Sequence, residues 1–305
     1  MVSDTTQEGA HEREHDARRR TAHRRGSRTA AARRAVPPVG GAAHRTVRLV
    51  GHRQRPVPAR RRPRRTAAED RGRRRGRGAG APLAAPARPA LPVPIPAVLG
   101  EGAPGDDFPW PWTVHRWLDG ENPREGRVAR PGRLAADLVE FIVALRGIEP
   151  ADGPPAYRGG PLREVDEETR TALGRLHGTI DTEAATTAWE RALAAPGWDG
   201  PPVWAHSDLM PGNLLVADGR LSAVIDFGTA GVGDPACDLI PAWNLLPAPV
   251  RKDFRTALGV DDATWARGRG WALSMALIQL PYYRETNPSM AANARHVIDQ
   301  VLAPS

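Results

Sequence analysis

Three observations along the 305 residues predict an α+β fold. Apolar residues recur at helical spacing at Leu134, Leu138, Phe141, Ile142 and Leu145, and the chain beyond "DPACDL" reads as helix to its end. Two short apolar runs, "NLLV" and "LSAVI", are joined by Ala217, Asp218, Gly219 and Arg220, which is a β-hairpin signal. The first 90 residues show neither period. The expectation is a mainly helical body over 91–305 that carries one hairpin, preceded by a segment, 1–90, whose sheet is absent or disordered.

Composition supports that division. Residues 1–90 hold 24 Arg against 7 acidic residues, a net of +17, while the rest of the chain carries −9. The overall +8 therefore misdescribes the body, which is acidic. Met1–Ala90 has no Phe, Trp or Tyr and is dominated by Arg, Ala, Pro and Gly, so it cannot bury enough apolar surface to offset chain entropy. It is expected to be disordered on its own.

The single cysteine, Cys237, excludes an internal disulfide framework and fits a reducing compartment. No charged-then-apolar leader opens the sequence. The longest apolar run, Trp271–Leu280, is about half of a membrane span. A cytoplasmic location without a membrane partner is expected; oligomeric state is not readable.

From Leu91 the elements follow in order. "LPVPIP" is a proline-stiffened connector, and Trp112–Leu118 reads as a strand closed by the turn signal "DGE". Trp110, Trp112 and Trp117 are read as core. The helix through Leu134–Leu145 comes next, then a helix with Leu173 and Leu176 ahead of Gly178, where His177 is a C-terminal residue without a role. The hairpin then follows "VWAHSDLMPG".

The hairpin makes the chemistry legible. Asp208 and Asn213 lie five apart on a loop containing Pro211 and Gly212, and Asp226 ends the second strand in "VIDFG". A hairpin returns the end of its second strand beside the start of its first, so Asp226 comes back to Asn213. Oxygen ligands from an Asn and an Asp suit Mg²⁺ with phosphates completing its shell. The remaining carboxylate, Asp208, is free to accept a proton from a hydroxyl. Base, metal-holding Asn and metal-holding Asp are the parts of phosphoryl transfer. Asx residues beside Pro-Gly can also satisfy their own backbone, but the paired Asp226 favours the chemical reading.

"HSDLMPGN", "IDFG" and "GDPACDL", in that order, resemble the catalytic and metal-binding segments of the aminoglycoside phosphotransferase family, which has the protein-kinase-like fold. The resemblance implies Asp208 as base, Asn213 and Asp226 as Mg²⁺ ligands, His206 as a brace of the catalytic loop, and Asp234 and Asp238 as its support. Asp234, before Pro235, also reads as a helix N-cap. Ser207 stands where the family most often has Gly. The resemblance further implies that backbone groups of Arg116 and Leu118 meet the adenine of ATP, with Leu215 and Ile225 as its floor, and that the acceptor is a small-molecule hydroxyl.

Two other functions were weighed. An Arg-rich arm can bind nucleic acid without sequence preference, but here Arg is scattered among Ala, Pro and Gly with no aromatic interleaving. A metal hydrolase built on His206 and Asp208 lacks further His or Cys ligands. The resemblance also exposes a gap, because the family's N-terminal lobe holds the phosphates with a basic side chain, usually Lys. The only lysine, Lys252, lies beyond the catalytic loop. With synonymous codons chosen from those that encode it, Gly51–Arg64 can be written so that reading one nucleotide later gives a strand-and-turn pattern, and at the same offset Ala32–Gly41 and Arg75–Arg88 can be given helical spacing. The segment 1–90 is therefore expected to be an N-lobe translated out of frame, in a chain that can be inactive.

Overall fold

The computed structural model describes residues 48–50, 91–103, 112–124, 126–150 and 153–303. The expected disorder of 1–90, its out-of-frame origin and the role of Trp110 lie outside the described residues, except for a strand at Arg48–Val50. The described residues divide into two compact units, 48–50 with 96–103 and 112–117 in one, and 91–95 with everything from Leu118 in the other.

The smaller unit is a three-stranded antiparallel sheet. Strands β1 (Arg48–Val50), β2 (Val98–Gly102) and β3 (Trp112–His115) lie in the order β1-β3-β2. The expected strand at Trp112 thus forms, and a partner strand comes from a segment in which none was readable. Trp117 is not core: it is 43% exposed, and Trp112 is half-buried. Trp117 lies two residues past the end of β3.

The larger unit is helical around one hairpin. Helix α1 (Pro131–Arg146) starts with proline at its first position, and its apolar stripe, Leu134 to Leu145, is fully buried while Val143 on the far side is 52% exposed. Helices α2 (Asp166–Arg175) and α3 (Thr182–Leu193) follow, the latter capped by Asp181, which accepts from Ala184 N–H. Strand β4 (Val203–Ala205) pairs antiparallel with β7 (Gly231–Gly233), and β5 (Leu214–Ala217) with β6 (Arg220–Val224). Asp218 and Gly219 both take positive φ, 52° and 75°, the two-residue turn that matches strand twist. Connector residue Pro94 accepts from Val224 N–H, so the proline stretch lines the hairpin.

Short α4 (Pro241–Asn244) and α5 (Ala248–Leu258) lead to α6 (Asp262–Tyr283), the axis of the unit. Trp271 to Leu277 are all buried because α6 is packed by α2, α3 and the closing helix α7 (Pro288–Leu302). Gly270 permits that approach: a Cβ there would meet Ala192 Cβ and Leu162 Cδ1 at 2.7 Å. The last carbonyls of α7, at Gln300 and Val301, accept from Arg251 and Arg269.

One ion pair ties α1 to the hairpin. Asp137, buried on the inner face of α1, accepts from Arg220 Nε and Nη2 and from Leu221 N–H at 2.6–2.9 Å. Burial pushes this carboxyl up, but the Arg220 and Leu221 hydrogen bonds, with the charges of Arg220 and Arg133, outweigh it and hold it below the usual value of 3.8. A carboxyl lowered on folding stabilises the fold above its unfolded pKa, and that contribution disappears as pH falls through the folded value. Asp137→Asn is therefore expected to flatten the acid limb of the stability curve, measured as urea midpoints from neutral to acidic pH. Parallel curves for the two proteins would contradict this.

Candidate active site

Hydrogen bonds join Asn213 to Asp208 and to Ile225, the residue before Asp226. Asn213 ends a 3₁₀ turn, Pro211–Asn213, and Leu214 enters β5 directly after it. Ile225 N–H donates to Asn213 O at 2.8 Å, which draws the residue before Asp226 onto Asn213. Asn213 Nδ2 donates to Asp208 O and to Asp208 Oδ2, each at 2.9 Å. With its amide nitrogen committed, Asn213 keeps its Oδ1 as an oxygen donor.

Asp226 is exposed and stands in the left-handed region at φ 64°, its carboxylate accepting from Gly228 N–H at 3.4 Å. The Asn213 amide oxygen and the exposed Asp226 carboxylate are oxygen donors of the kind that suits Mg²⁺, which retains waters and takes phosphate oxygens.

The loop before Asp208 is held from below. Asp238, fully buried, accepts from His206 N–H at 2.9 Å and Ser207 N–H at 2.7 Å. Burial pushes the Asp238 carboxyl up, while His206, the two N–H donors and Arg146 pull it back down. His206 is also sealed from solvent; its Nε2 lies 3.1 Å from Ile225 O, and its ring meets Phe227 edge-on at 4.7 Å. Desolvation lowers its pKa against the pull of Asp238, Asp208 and Asp226. The ring, donating Nε2–H to Ile225 O, thus links the loop to the residue that follows β6 and precedes Asp226. Cys237, whose thiol burial pushes well up, donates to Ser207 O at 3.4 Å.

Asp234 departs from the expected support role. Its carboxylate caps Ala236 N–H at 2.9 Å and pairs with buried Arg267 at 2.7 Å, with no hydrogen bond to the loop. The proline at the following position makes the capping geometry available there, and Asp238, one turn on, faces the loop instead.

Ser207 stands where a glycine would be conformationally free. It takes φ 57°, which costs a non-glycine residue about 1–2 kcal/mol. Its hydroxyl compensates by donating to Thr229 O at 2.6 Å, while Thr229 Oγ1 donates back to His206 O at 3.0 Å. Ser207→Ala keeps the strain and loses that bond, and is expected to cost about 1–3 kcal/mol in urea unfolding. Ser207→Gly loses both together and should stay within about 1 kcal/mol of the parent. Equal losses for the two variants would rule out the strain account.

Leu215 is buried on β5 and Ile225 is half-buried beyond β6. Leu118 is half-buried at the start of the larger unit. Arg116 belongs to the smaller unit, and its backbone N–H donates to Ala97 O at 2.9 Å, so that group is already engaged.

Two contacts had no signal in the sequence. Asn122 Nδ2 donates to Pro211 O, Gly212 O and Leu214 O at 2.8–3.3 Å, clamping the turn that presents Asn213. Arg158 Nη1 pairs with Asp208 Oδ1 at 3.1 Å. Asn122 precedes Pro123 and reads as a turn residue; Arg158 precedes Gly159 and Gly160, whose pairing hints only at close backbone approach.

A model of the phosphotransferase enzyme family matches residues 34–271. No match is found among curated proteins. Among solved structures, the chain is similar to the GDP and kanamycin complex of APH(2")-IIia, at 16% identity and TM-score 0.55 over 85% of this chain and 94% of that one. It is also similar to the GDP complex of wild-type aminoglycoside 2'-phosphotransferase-IIIa, at 19% identity and TM-score 0.53 over 70% of this chain and 77% of that one. The likenesses establish the fold, the protein-kinase-like α+β arrangement expected from the sequence. Among the described residues no helix is long and apolar enough to cross a membrane.

Proposed function

The chain belongs to the phosphotransferase enzyme family, and from that premise we propose that it transfers the γ-phosphoryl group of ATP to a hydroxyl of a small molecule. The observation that supports the proposal is the hydrogen-bonded chain Asp208–Asn213–Ile225, in which Asn213 is bonded both to Asp208 and to the residue before Asp226.

Asp208 receives the proton of the acceptor hydroxyl as that oxygen bonds to the γ-phosphorus and the bond to the β-phosphate oxygen breaks. Asn213 Oδ1 and the Asp226 carboxylate would hold Mg²⁺. When bound, Mg²⁺ supplies charge neutralisation at the nucleotide phosphates. His206 and Asp238 do not touch the reactants. They fix the loop so that Asp208 is presented at its mouth, about a quarter exposed.

Leu215 and Ile225 form the apolar floor for the base of the nucleotide, and backbone groups of Leu118 meet its edge. Two structures similar in fold were solved with GDP, so GTP is a second donor to examine. The acceptor is an aminoglycoside-like antibiotic or a hydroxylated metabolite, handled in the cytoplasm.

The test is transfer of label from γ-labelled ATP or GTP, with Mg²⁺, to a panel of aminoglycoside, macrolide and sugar alcohols. Labelled product that disappears when Mg²⁺ is chelated supports the reading. No transfer to any acceptor, together with no nucleotide hydrolysis, rejects it for this chain.

A further inference from the structure

We propose that Arg158 orients the Asp208 carboxylate for proton acceptance, a positioning role that rests on the phosphotransfer reading above. Arg158 Nη1 donates to Ser207 O at 2.9 Å and to Asp208 Oδ1 at 3.1 Å. Asp208 Oδ2 accepts from Asn213 Nδ2 at 2.9 Å. One donor on each oxygen fixes the plane of a group whose last torsion is otherwise broad. Among the described residues, Arg158 is the one cation paired with Asp208.

The arginine is itself built in. Ala156 N–H donates to Val232 O and Tyr157 N–H to Thr229 O, each at 3.1 Å, and Asp234 N–H donates to Gly159 O at 2.9 Å. The stretch that follows Asp226 therefore grips the backbone on both sides of Arg158. That contact needs glycine: a Cβ on Gly231 would lie 2.4 Å from Pro154 O, and one on Gly233 would lie 2.6 Å from Gly159 O. The Tyr157 ring packs against the guanidinium, with its centroid 5.0 Å from Cζ. An ordinary solvated ion pair has none of this scaffolding, and here the two side chains are only 20% and 23% exposed.

The consequence is geometric. A carboxylate serves as base only when a lone pair faces the incoming hydroxyl, and a displacement of about 1 Å costs on the order of 10²-fold in rate. Without Arg158, Asn213 alone holds Asp208, and the carboxylate can turn about its last torsion. Arg158 thus acts through Asp208.

The test uses the full chain with Mg²⁺ and ATP or GTP, water serving as acceptor, so no acceptor need be known. Arg158→Ala is expected to lower kcat roughly 10- to 100-fold while the nucleotide KM stays within about twofold, and added guanidinium ion at millimolar concentration should recover part of kcat. Arg158→Lys, which keeps a charged donor on a different stem, should fall between. An unchanged kcat in Arg158→Ala, or a loss that guanidinium does not recover, overturns the proposal. Should the parent neither hydrolyse nor transfer, the phosphotransfer reading is what fails, and crystal structures decide the arginine's part. A turned or two-fold disordered Asp208 carboxylate in Arg158→Ala supports the role; the parent's orientation, still bonded to Asn213, overturns it.

Discussion

Asp208→Asn is expected to lower turnover by about 10²–10⁴-fold, the usual contribution of a positioned general base, while Mg²⁺-nucleotide affinity stays within about twofold. Asn is isosteric, so the loop remains held by Asp238 at His206 and Ser207. What changes is basicity and donor matching. The parent carboxylate accepts from Arg158 on one oxygen and from Asn213 on the other, whereas an amide offers only one accepting atom to those two donors. The variant therefore loses both the proton acceptor and one of its orienting bonds. Single-turnover kinetics report the chemical step, and calorimetry reports nucleotide binding. Retained single-turnover rates would remove Asp208 as base, and lost nucleotide affinity would mean that the substitution damages the phosphate site as well.

The sequence carried the reacting groups more clearly than their supports. Asp208, Asn213 and Asp226 were legible because they flank one hairpin, and a hairpin is encoded by a two-residue turn between apolar runs. Asp238 came with the same block. Arg158 was not legible: it lies 50 residues before Asp208, and its position depends on a parallel bridge between Pro155 and Val232 that no local period announces. Asn122 is hidden for the same reason, since its three acceptors lie about 90 residues away. Asp234 carried two readings, and the cap is the one that forms. Its spacing fits a support for the loop, yet an Asp before proline caps its own turn, and the buried Arg267 that fixes it comes from α6. Trp117 was misassigned because it lies past the end of β3, and an aromatic side chain does not by itself predict burial.

The proposed metal ligand gives the second large effect. Asp226→Asn is expected to abolish Mg²⁺-dependent nucleotide binding, read calorimetrically as a loss of at least about tenfold in affinity with Mg²⁺ and little change without it. Asn is the appropriate replacement because Asp226 sits at φ 64°, a region that Asn tolerates and that alanine reaches only with strain. The side-chain oxygen can still accept from Gly228 N–H, as Asp226 does at 3.4 Å, so the turn after β6 is preserved. The variant removes charge and little else. Asn213 then remains as a neutral oxygen donor, and a hard divalent cation gains too little from it to offset dehydration. Asp226 is exposed while Ala223 and Val224, at the end of β6, are buried, so the substitution disturbs no core packing. Equal nucleotide affinity for Asp226→Asn and the parent in the presence of Mg²⁺ would return the segment to a structural turn and leave the hairpin without its metal.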